Sequence, residues 1–390
     1  MAQAVQGSSS GEQASGLRLG SVFQFLRYIV TRLVILAITV VVAVYVMLLI
    51  VNAGGYVDQV RMNQIQQEVI AQVSSNPDLQ RLPTDERRDR VEQLIQQEID
   101  RLGLNKPFWP IAMTEDGLRI VPQNRSFNHL VNAITLTLGR ASVITSDTGS
   151  KQVRLILLER LPPTVLLLGT GFLLLFVSSL FVALILSRRY GTWLDRIMVS
   201  LAPTSAAPSW FYGIFLILIF ASLLGWLPFG GLVRAPVPES TAAYALSVAK
   251  HMILPVAAIW ISGFFLAVYQ YRTYFLIYSS EDFVEMAKAK GLPSGTIQRR
   301  YIMRPTLPYI VTQFLISVIF LWQGSVVLEI VFNWPGLGQL ILLAINQFDI
   351  AVIIGSVAIF AYMLAIVVFM LDIIYALVDP RIRVGGEGGR

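Results

Sequence analysis

Residues 279–308 read SSEDFVEMAKAKGLPSGTIQRRYIMRPTLP, a short basic and polar segment between two apolar runs of membrane length. Ser279 and Asp282, three residues apart, form a capping-box pattern, which predicts that a helix starts here. Gly291 followed by Pro293 predicts where that helix stops, because glycine tolerates the left-handed cap and proline cannot continue the hydrogen-bond ladder. The first half of the segment is therefore predicted to be one short helix.

The second half of the segment carries helix signals of its own. Ser294 is a favourable N-cap residue, so we expect a second helix to start there and to run through Ile297. Pro305 and Pro308 are expected to end or kink that helix, because proline lacks the backbone N–H and clashes with the preceding turn. A helix–turn–helix exposed between two membrane spans has a shape to which another protein could bind.

The composition indicates an integral membrane protein. Of the 390 residues, 55% are hydrophobic and 14% are charged, against about 25% charged in soluble domains. The absence of cysteine excludes disulfides, thiolate chemistry and cysteine-ligated metals, and the two histidines, His129 and His251, argue against a histidine-rich metal site. The net charge of +6 is attributed to Lys and Arg retained on the cytoplasmic side rather than to nucleic-acid binding.

Six apolar runs are long enough to cross a bilayer, so we expect an all-α integral membrane protein with six transmembrane helices. The runs are 33–51, 164–186, 211–227, 252–268, 309–332 and 351–378. The resulting boundaries are a disordered cytoplasmic tail (1–24), a first transmembrane helix (25–51), an extracytoplasmic domain (52–160), a five-helix core (161–378) that contains the cytoplasmic loop 279–308, and a cytoplasmic tail (379–390). Val51-Asn-Ala53 resembles a signal-peptidase site, but the apolar core before it is longer than that of a signal peptide, which favours a retained span.

The distribution of Lys and Arg predicts the orientation. With six spans both termini share one side, and the short segments on that side hold most of the basic residues: Arg188, Arg189, Arg196, Arg272, Lys288, Lys290, Arg299, Arg300, Arg304, Arg381, Arg383 and Arg390. The short loops on the opposite side hold only Arg234 and Lys250. The positive-inside rule therefore predicts that both termini and residues 279–308 are cytoplasmic.

The predicted outer domain differs in character from the rest of the chain. Residues 52–160 contain 13 acidic and 13 basic residues. Within them, 85–101 (DERRDRVEQLIQQEIDR) has apolar residues at helical spacing, at Val91, Leu94, Ile95 and Ile99. We expect a folded or partly folded domain outside the bilayer.

The sequence Glu285-Met-Ala-Lys-Ala-Lys-Gly291 resembles the EAA loop of binding-protein-dependent ABC importer permeases. Phe283, Met286, Ala287 and Lys290 are spaced to share one helical face, and the small alanines would let the helix seat closely in a partner's groove. The alternative interpretation is an ordinary basic cytoplasmic loop. The resemblance implies that ATPase coupling involves Asp282, Phe283, Glu285, Met286, Ala287, Lys288, Ala289, Lys290 and Gly291.

Other motifs follow in the order of one permease family. They are LGLNKPF (102–108), LERLPPT (158–164), GTWLDR (191–196), HMILP (251–255), VFNWPGLG (331–338) and DPRIR (379–383). Together with the first span, residues 90–383 look like the first permease subunit of the dipeptide/oligopeptide/nickel transport family. Departures are Met286 in place of an alanine, Ile302-Met-Arg-Pro305 in place of Ile-x-Leu-Pro, and an apparent insertion at 56–82.

The resemblance implies a type I ABC importer permease fold and a set of partners. These are a second, related permease subunit, two cytoplasmic ABC ATPase subunits that bind ATP and Mg, and an extracytoplasmic substrate-binding protein. The implied cargo is a short peptide, with nickel or glutathione as alternatives within the family. The expected location is the bacterial plasma membrane, with the lipid bilayer as the surrounding medium and no nucleic-acid partner.

No enzymatic role is expected for the chain itself. It contains no Gly-x4-Gly-Lys-Ser/Thr sequence to bind nucleotide and no HExxH sequence. We therefore expect no catalytic residue, no metal site and no cofactor in this subunit. An intramembrane enzyme is disfavoured on the same grounds, and a self-sufficient channel would not need the inner helical loop.

Glu329, Trp334 and Gln323 are candidates for contact with the translocation path or the docked receptor. The alternatives are that residues 334–338 form a re-entrant turn that satisfies backbone groups at membrane depth, and that the glutamine hydrogen-bonds between helices. Asp372, near the inner end of the last run, is expected to pair with an arginine rather than to relay protons.

A second functional class stays open at this point. The large outer domain is also compatible with a signalling or structural membrane protein that couples to an ATPase but carries no cargo. Peptide flux would distinguish the two classes, because only the importer predicts it.

Overall fold

The computed structural model describes residues 10–52, 56–81, 83–102, 104–106, 111–114, 117–120, 125–135 and 137–378. The chain divides into two compact units. The first comprises Met1–Ala37, Arg160–Leu340 and Met363–Arg390, and the second comprises Ile38–Glu159 and Ile341–Tyr362.

Helices dominate the described residues. In the first part of the chain they are α1 (Ser10–Asn52), α2 (Tyr56–Ser75), α3 (Pro77–Gln80), α4 (Thr84–Leu102) and α5 (Arg125–Ile134). The second part contains α6 (Val153–Arg188), α7 (Trp193–Leu201), α8 (Ser209–Leu216), α9 (Thr241–Ser279), α10 (Asp282–Ala289), α11 (Ser294–Thr296), α12 (Arg304–Val331), α13 (Leu337–Asn346) and α14 (Ile350–Val378). A 3₁₀ segment, Ala202–Ala206, follows α7, and π-helical segments, Ile217–Leu223 and Ile297–Met303, follow α8 and α11.

The all-α prediction needs one correction. Strands β1 (Ile111–Thr114) and β2 (Gly117–Ile120) form an antiparallel pair with Ile111 opposite Ile120. Each strand is only four residues long, the shortest length over which alternation of apolar and polar residues can reveal a strand. The sequence signal is therefore weak.

Four helical segments of the described chain are long and apolar enough to cross a membrane. They are Arg27–Ile50, Val153–Arg188, Thr241–Ser279 and Ile350–Ile374. A fifth is obtained if Trp193–Ala206 and Ser209–Leu223, bent by 99° at their junction, count as one broken span. The predicted run 309–332 lies almost entirely in α12, and the total of six spans stays a prediction.

The first helix starts earlier than the sequence suggests. Disorder is predicted for residues 1–24, whereas α1 begins at Ser10; residues 1–9 lie outside the described part. No proline interrupts 10–24, and extending an existing helix adds one hydrogen bond per residue without a new nucleation step. The predicted disorder is therefore corrected to helix for residues 10–24.

In the first unit, α6 and α9 pack closely through two glycines. A methyl group on Gly171 would lie 2.8 Å from Ile259 Cδ1, and one on Gly263 would lie 2.6 Å from Leu175 Cδ1. Trp260 Nε1 also donates a hydrogen bond of 2.8 Å to Ser178 Oγ. The pair of glycines lets the two backbones approach, as small residues do between membrane helices.

In the second unit, α2 and α4 form a helical hairpin. Its buried residues are Ile65, Val69, Val73 and Ile99, with Leu79, Val91, Leu94, Ile95 and Leu104 packed against them. The helical spacing predicted for residues 85–101 is thus confirmed. The apparent insertion at 56–82 supplies α2 and α3, which give the apolar face of α4 something to pack against.

Candidate functional site

The loop between α9 and α12 contains the short helix α10, but it starts differently from the prediction. Helix α9 continues to Ser279, whose hydroxyl donates 2.7 Å to the carbonyl oxygen of Leu276. Glu281 occupies the N-cap position of α10 and makes no side-chain cap hydrogen bond. The predicted capping box between Ser279 and Asp282 is therefore wrong, because the serine closes the last turn of the preceding helix.

The end of α10 matches the prediction. Gly291 has φ = 70°, in the left-handed region, and its N–H donates 2.9 Å to the carbonyl oxygen of Lys288. The N–H of Leu292 reaches the carbonyl oxygen of Ala287 at 3.3 Å. These hydrogen bonds close the helix at a position that glycine adopts without the steric penalty of a Cβ atom.

The second helix begins at Ser294, as predicted, but the prolines do not end it. Pro305 lies in the first turn of α12 and Pro308 lies inside that helix, so the chain stays helical from α11 to Val331. Proline is tolerated inside a membrane helix because local π-helical adjustments satisfy the backbone groups that it leaves without a partner, and the π-helical segment Ile297–Met303 directly precedes α12. The prediction that Pro305 and Pro308 end the helix is corrected accordingly, whereas the alternative that they kink it stays a prediction.

One face of α10 is buried within the chain. Val284 is 0% exposed and Ala287 is 3% exposed, and both pack with Ile297. The partly buried side chains that complete this cluster are Leu292, Tyr301 and Ile302. Ala287 therefore faces its own chain, which corrects the prediction that it lies on the outward face with Phe283 and Met286.

The opposite face of α10 is exposed. At 100° per residue, the positions opposite Val284 and Ala287 are Asp282, Glu285, Met286 and Ala289, and all four are exposed. Met286 has 56% and Phe283 40% of its surface exposed. Exposed large apolar side chains grouped among charges are typical of a surface that binds another protein.

The remaining candidates on this loop border that face. Lys290 lies on the same flank of the helix as Phe283, whereas Lys288 lies on the other flank. We call Asp282, Glu285, Met286 and Ala289, with the flanking Phe283, the outer face of α10. The sequence analysis missed the supporting residues Val284 and Ile297, although the spacing of Val284 and Ala287 by three residues was a usable signal.

Glu329 and Trp334 lie elsewhere, at the turn between α12 and α13, and both are 0% exposed. Thr164 Oγ1 donates 2.8 Å to Glu329 Oε1, and the N–H of Gln339 donates 3.0 Å to Glu329 Oε2. The Trp334 N–H donates 2.7 Å to the carbonyl oxygen of Glu329, and its Nε1 donates 3.0 Å to that of Pro163.

This arrangement is a buried turn rather than a pore lining. The carboxylate of Glu329 accepts hydrogen bonds at the start of α13, where backbone N–H groups lack helical partners, and the N–H of Leu337 donates 2.8 Å to Thr164 Oγ1. The interpretation of Glu329 and Trp334 as contacts with the translocation path or receptor is corrected, in favour of a turn that satisfies its own backbone. The side chain of Gln323 lies outside the described residues.

Asp372 behaves as predicted. Its Oδ1 lies 3.5 Å from Nη2 of Arg32, in the first predicted span. The predicted pairing with an arginine is confirmed. The ion pair joins α1 to α14 within the first unit.

The fold defines a multi-pass helical membrane protein with a short, partly exposed helix, α10, between two long helices. Residues 179–384 match the family of binding-protein-dependent transport system inner membrane components. The chain belongs to this family, and its matched region contains the whole loop between α9 and α12.

Curated relatives are permease proteins of the same kind. The chain is 25% identical over 292 residues to the glutathione transport system permease protein GsiC of Shigella flexneri serotype 5b, covering 75% of this chain and 85% of that protein. It is 30% identical over 253 residues to the oligopeptide transport system permease protein AppB of Bacillus subtilis strain 168, covering 62% of this chain and 78% of the relative.

Among solved structures, a chain of the MetNI methionine ABC transporter in inward-facing conformations aligns with a TM-score of 0.45 at 16% identity. The alignment covers 57% of this chain and 96% of that one.

Proposed function

We propose that this protein is a transmembrane permease subunit of an ATP-driven importer of short peptides and forms half of the translocation path. The observation that carries the proposal is the exposed outer face of α10 in a chain of this family. Relatives named for glutathione, which is a tripeptide, and for oligopeptides favour peptide cargo. Nickel is the less favoured alternative.

The proposed assembly contains three further kinds of component. A second, related permease subunit completes the path, two cytoplasmic ABC ATPase subunits bind ATP and Mg, and an extracytoplasmic protein delivers the peptide. The positive-inside distribution supports six spans with both termini in the cytoplasm and residues 52–160 outside.

The packing of α10 suggests how ATP hydrolysis reaches the membrane. Val284 and Ala287 rest on Ile297, in the π-helical segment that leads without a break into α12. A rigid-body movement of α10 would therefore push on the inner end of α12 through close-packed side chains rather than through a flexible linker. Asp282, Phe283, Glu285, Met286 and Ala289 would contact the ATPase, and Gly291 would hold the turn.

Ala289→Trp tests this coupling. Ala289 is exposed, so the indole has room in the isolated chain but would keep the ATPase from seating against α10. Since coupling energies of about 1–3 kcal/mol correspond to about 5–150-fold, we expect peptide uptake in proteoliposomes to fall at least about fivefold. The matched control is Ala242→Trp, an exposed alanine in the first turn of α9, at the end remote from α10.

Two measurements separate the possible outcomes. Uptake of radiolabelled peptide reports transport, and ATP hydrolysis by the reconstituted complex reports coupling. Unchanged uptake by the Ala289→Trp complex would argue against α10 as the coupling helix. Robust ATP hydrolysis without peptide flux in the wild-type complex would instead favour the signalling protein, whose ATPase drives a conformational change without cargo.

A further inference from the structure

A basic cavity lies beside the π-helical segment that precedes α12. It has a volume of about 610 Å³ and is lined by Pro293, Gly295, Thr296, Arg299, Arg300 and Arg304. Half of its lining residues are arginines and none is acidic. Neither the family assignment nor the proposed coupling through α10 assigns a role to this cavity.

The three arginines carry charge that the described residues do not neutralise. None of them takes part in the ion pairs found among those residues, which join Arg32, Arg88, Arg101 and Arg272 to acidic side chains. A guanidinium stays protonated at every physiological pH, and its planar fork binds phosphate oxygens through paired hydrogen bonds. Three such positive charges around one cavity repel each other, and an anion bound between them would offset this repulsion.

A cluster of tyrosines shows at what depth the cavity lies. The rings of Tyr274 and Tyr278, on α9, lie 6.1 Å and 5.9 Å from that of Tyr309, on α12. Tyr309 is 54% exposed. Tyrosines with one apolar and one polar end are enriched where hydrocarbon meets the headgroups, so this cluster is typical of the inner membrane interface.

The spacing between Tyr309 and Arg304 fits the thickness of the headgroup layer. Five residues of α-helix span about 7.5 Å, and the headgroup layer on each side of the hydrocarbon is about 5–8 Å thick. Arg304 therefore lies at the level of the lipid phosphates when Tyr309 lies at the hydrocarbon boundary. Arg299 and Arg300, which come five and four residues before Arg304 in the chain, border the same cavity.

We propose that the cavity binds the phosphate group of an anionic phospholipid of the inner leaflet. The assignment to the inner leaflet rests on the orientation given under the proposed function. The guanidinium groups of Arg299, Arg300 and Arg304 hold the phosphate oxygens, and the tyrosine cluster borders the acyl chains. The bound lipid neutralises the positive charge of these arginines at the N-terminal end of α12, next to the π-helical segment against which α10 packs.

The test measures binding of a fluorescent short-chain phosphatidylglycerol to the purified full-length chain in zwitterionic detergent. A basic residue near an anionic lipid surface contributes about fivefold in affinity. We therefore expect the dissociation constant to rise about fivefold in each of R299Q, R300Q and R304Q, and about a hundredfold in the triple variant. The matched control is R189Q, which removes an exposed arginine of the same predicted side that does not line the cavity.

Competition identifies the source of the phosphate. Unlabelled phosphatidylglycerol should displace the probe, whereas phosphatidylcholine and inorganic phosphate at the same concentration should not. Displacement by inorganic phosphate at equal concentration would overturn the lipid assignment in favour of a free anion. An equal loss of affinity in R189Q would overturn the site itself, since any exposed arginine would then serve.

A protein partner for the same arginines is the remaining outcome. If the triple variant binds the probe normally but no longer co-purifies with the ATPase subunits, the cavity is a protein contact and the lipid proposal is wrong. The three single variants change exposed side chains, so the site can be tested even if the triple variant does not fold. Because the assay needs no transport, failed peptide uptake with intact lipid binding would count only against the proposed function.

Discussion

Gly336→Ala is expected to prevent the first unit from folding stably, although it adds a single methyl group. That methyl group would lie 2.5 Å from Cδ of Glu329 and still closer to Glu329 Oε1 and Thr164 Oγ1. Glu329 and Thr164 are each 0% exposed, so neither side chain can swing into solvent. The clash therefore falls on the hydrogen bonds that hold the turn between α12 and α13.

The expected loss combines two effects. Forcing a methyl group into close-packed space costs about 1–3 kcal/mol, and separating a buried hydrogen-bond donor from its acceptor adds about 1–3 kcal/mol. The free energy of unfolding should therefore fall by about 2–6 kcal/mol, which is comparable to the whole stability of many domains. Thermal unfolding of the purified chain in detergent, followed by tryptophan fluorescence, measures the change together with the yield of monodisperse protein.

Gly169→Ala is the matched control, because it makes the same change in α6. A methyl group on Gly169 meets no atom within 4 Å, and alanine favours a helix over glycine by about 1 kcal/mol. Gly169→Ala should therefore fold normally, with an unchanged or slightly raised unfolding temperature. Equal stability of the two variants would show that the carboxylate of Glu329 does not hold the turn.

The same turn shows which features a sequence can reveal. Glu329 ends an apolar run, which suggests an exposed or pore-lining carboxylate, whereas its hydroxyl partner, Thr164, comes 165 residues earlier in the chain. No periodicity or spacing connects these two residues, because their contact depends on how α6 packs in the first unit. The buried role of Trp334, whose indole reaches the carbonyl oxygen of Pro163, was hidden for the same reason.

Features with local causes were predictable. The spacing of Val91, Leu94 and Ile95 predicted α4 because one helical face must be apolar to be buried, and Gly291 predicted the end of α10 through its own backbone freedom. Ser279 marks the limit of such signals. A serine satisfies a cap pattern and a back-bond to the preceding turn equally well, and the stable continuation of α9 decides between them.

The second large effect is expected at the buried ion pair between α7 and α9. Nη2 of Arg272 donates 2.6 Å to Oδ2 of Asp195, Nε of Arg272 donates to the other carboxylate oxygen, and the N–H of Gly191 donates 2.9 Å to Oδ2. Asp195 is 2% exposed and Arg272 is 8% exposed. The guanidinium also lies 5.1 Å from the ring centroid of Tyr190. These contacts fix the start of α7 against α9.

Removing either charge alone should be severe, whereas removing both should not. Asp195→Leu leaves a buried guanidinium without its partner and Arg272→Met leaves a buried carboxylate, and each single change is expected to lower the free energy of unfolding by about 3–5 kcal/mol. The double variant removes both desolvated charges and replaces them by apolar side chains, which is often neutral or stabilising. Its unfolding temperature should therefore return close to that of the wild type.

An exposed ion pair serves as the control for the single and double variants of Asp195 and Arg272. Arg88 and Glu92 lie one turn apart on α4 at 3.6 Å, with 80% and 68% of their side chains exposed. Arg88→Met should leave the unfolding temperature nearly unchanged, since solvent screens such a pair and the long side chains lose entropy when they are held together. If Arg272→Met were as mild as Arg88→Met, burial would not be what makes the Asp195–Arg272 pair strong. If the double variant were as unstable as the two single variants, the pair would act through its shape and hydrogen bonds rather than through the cost of an unpaired charge.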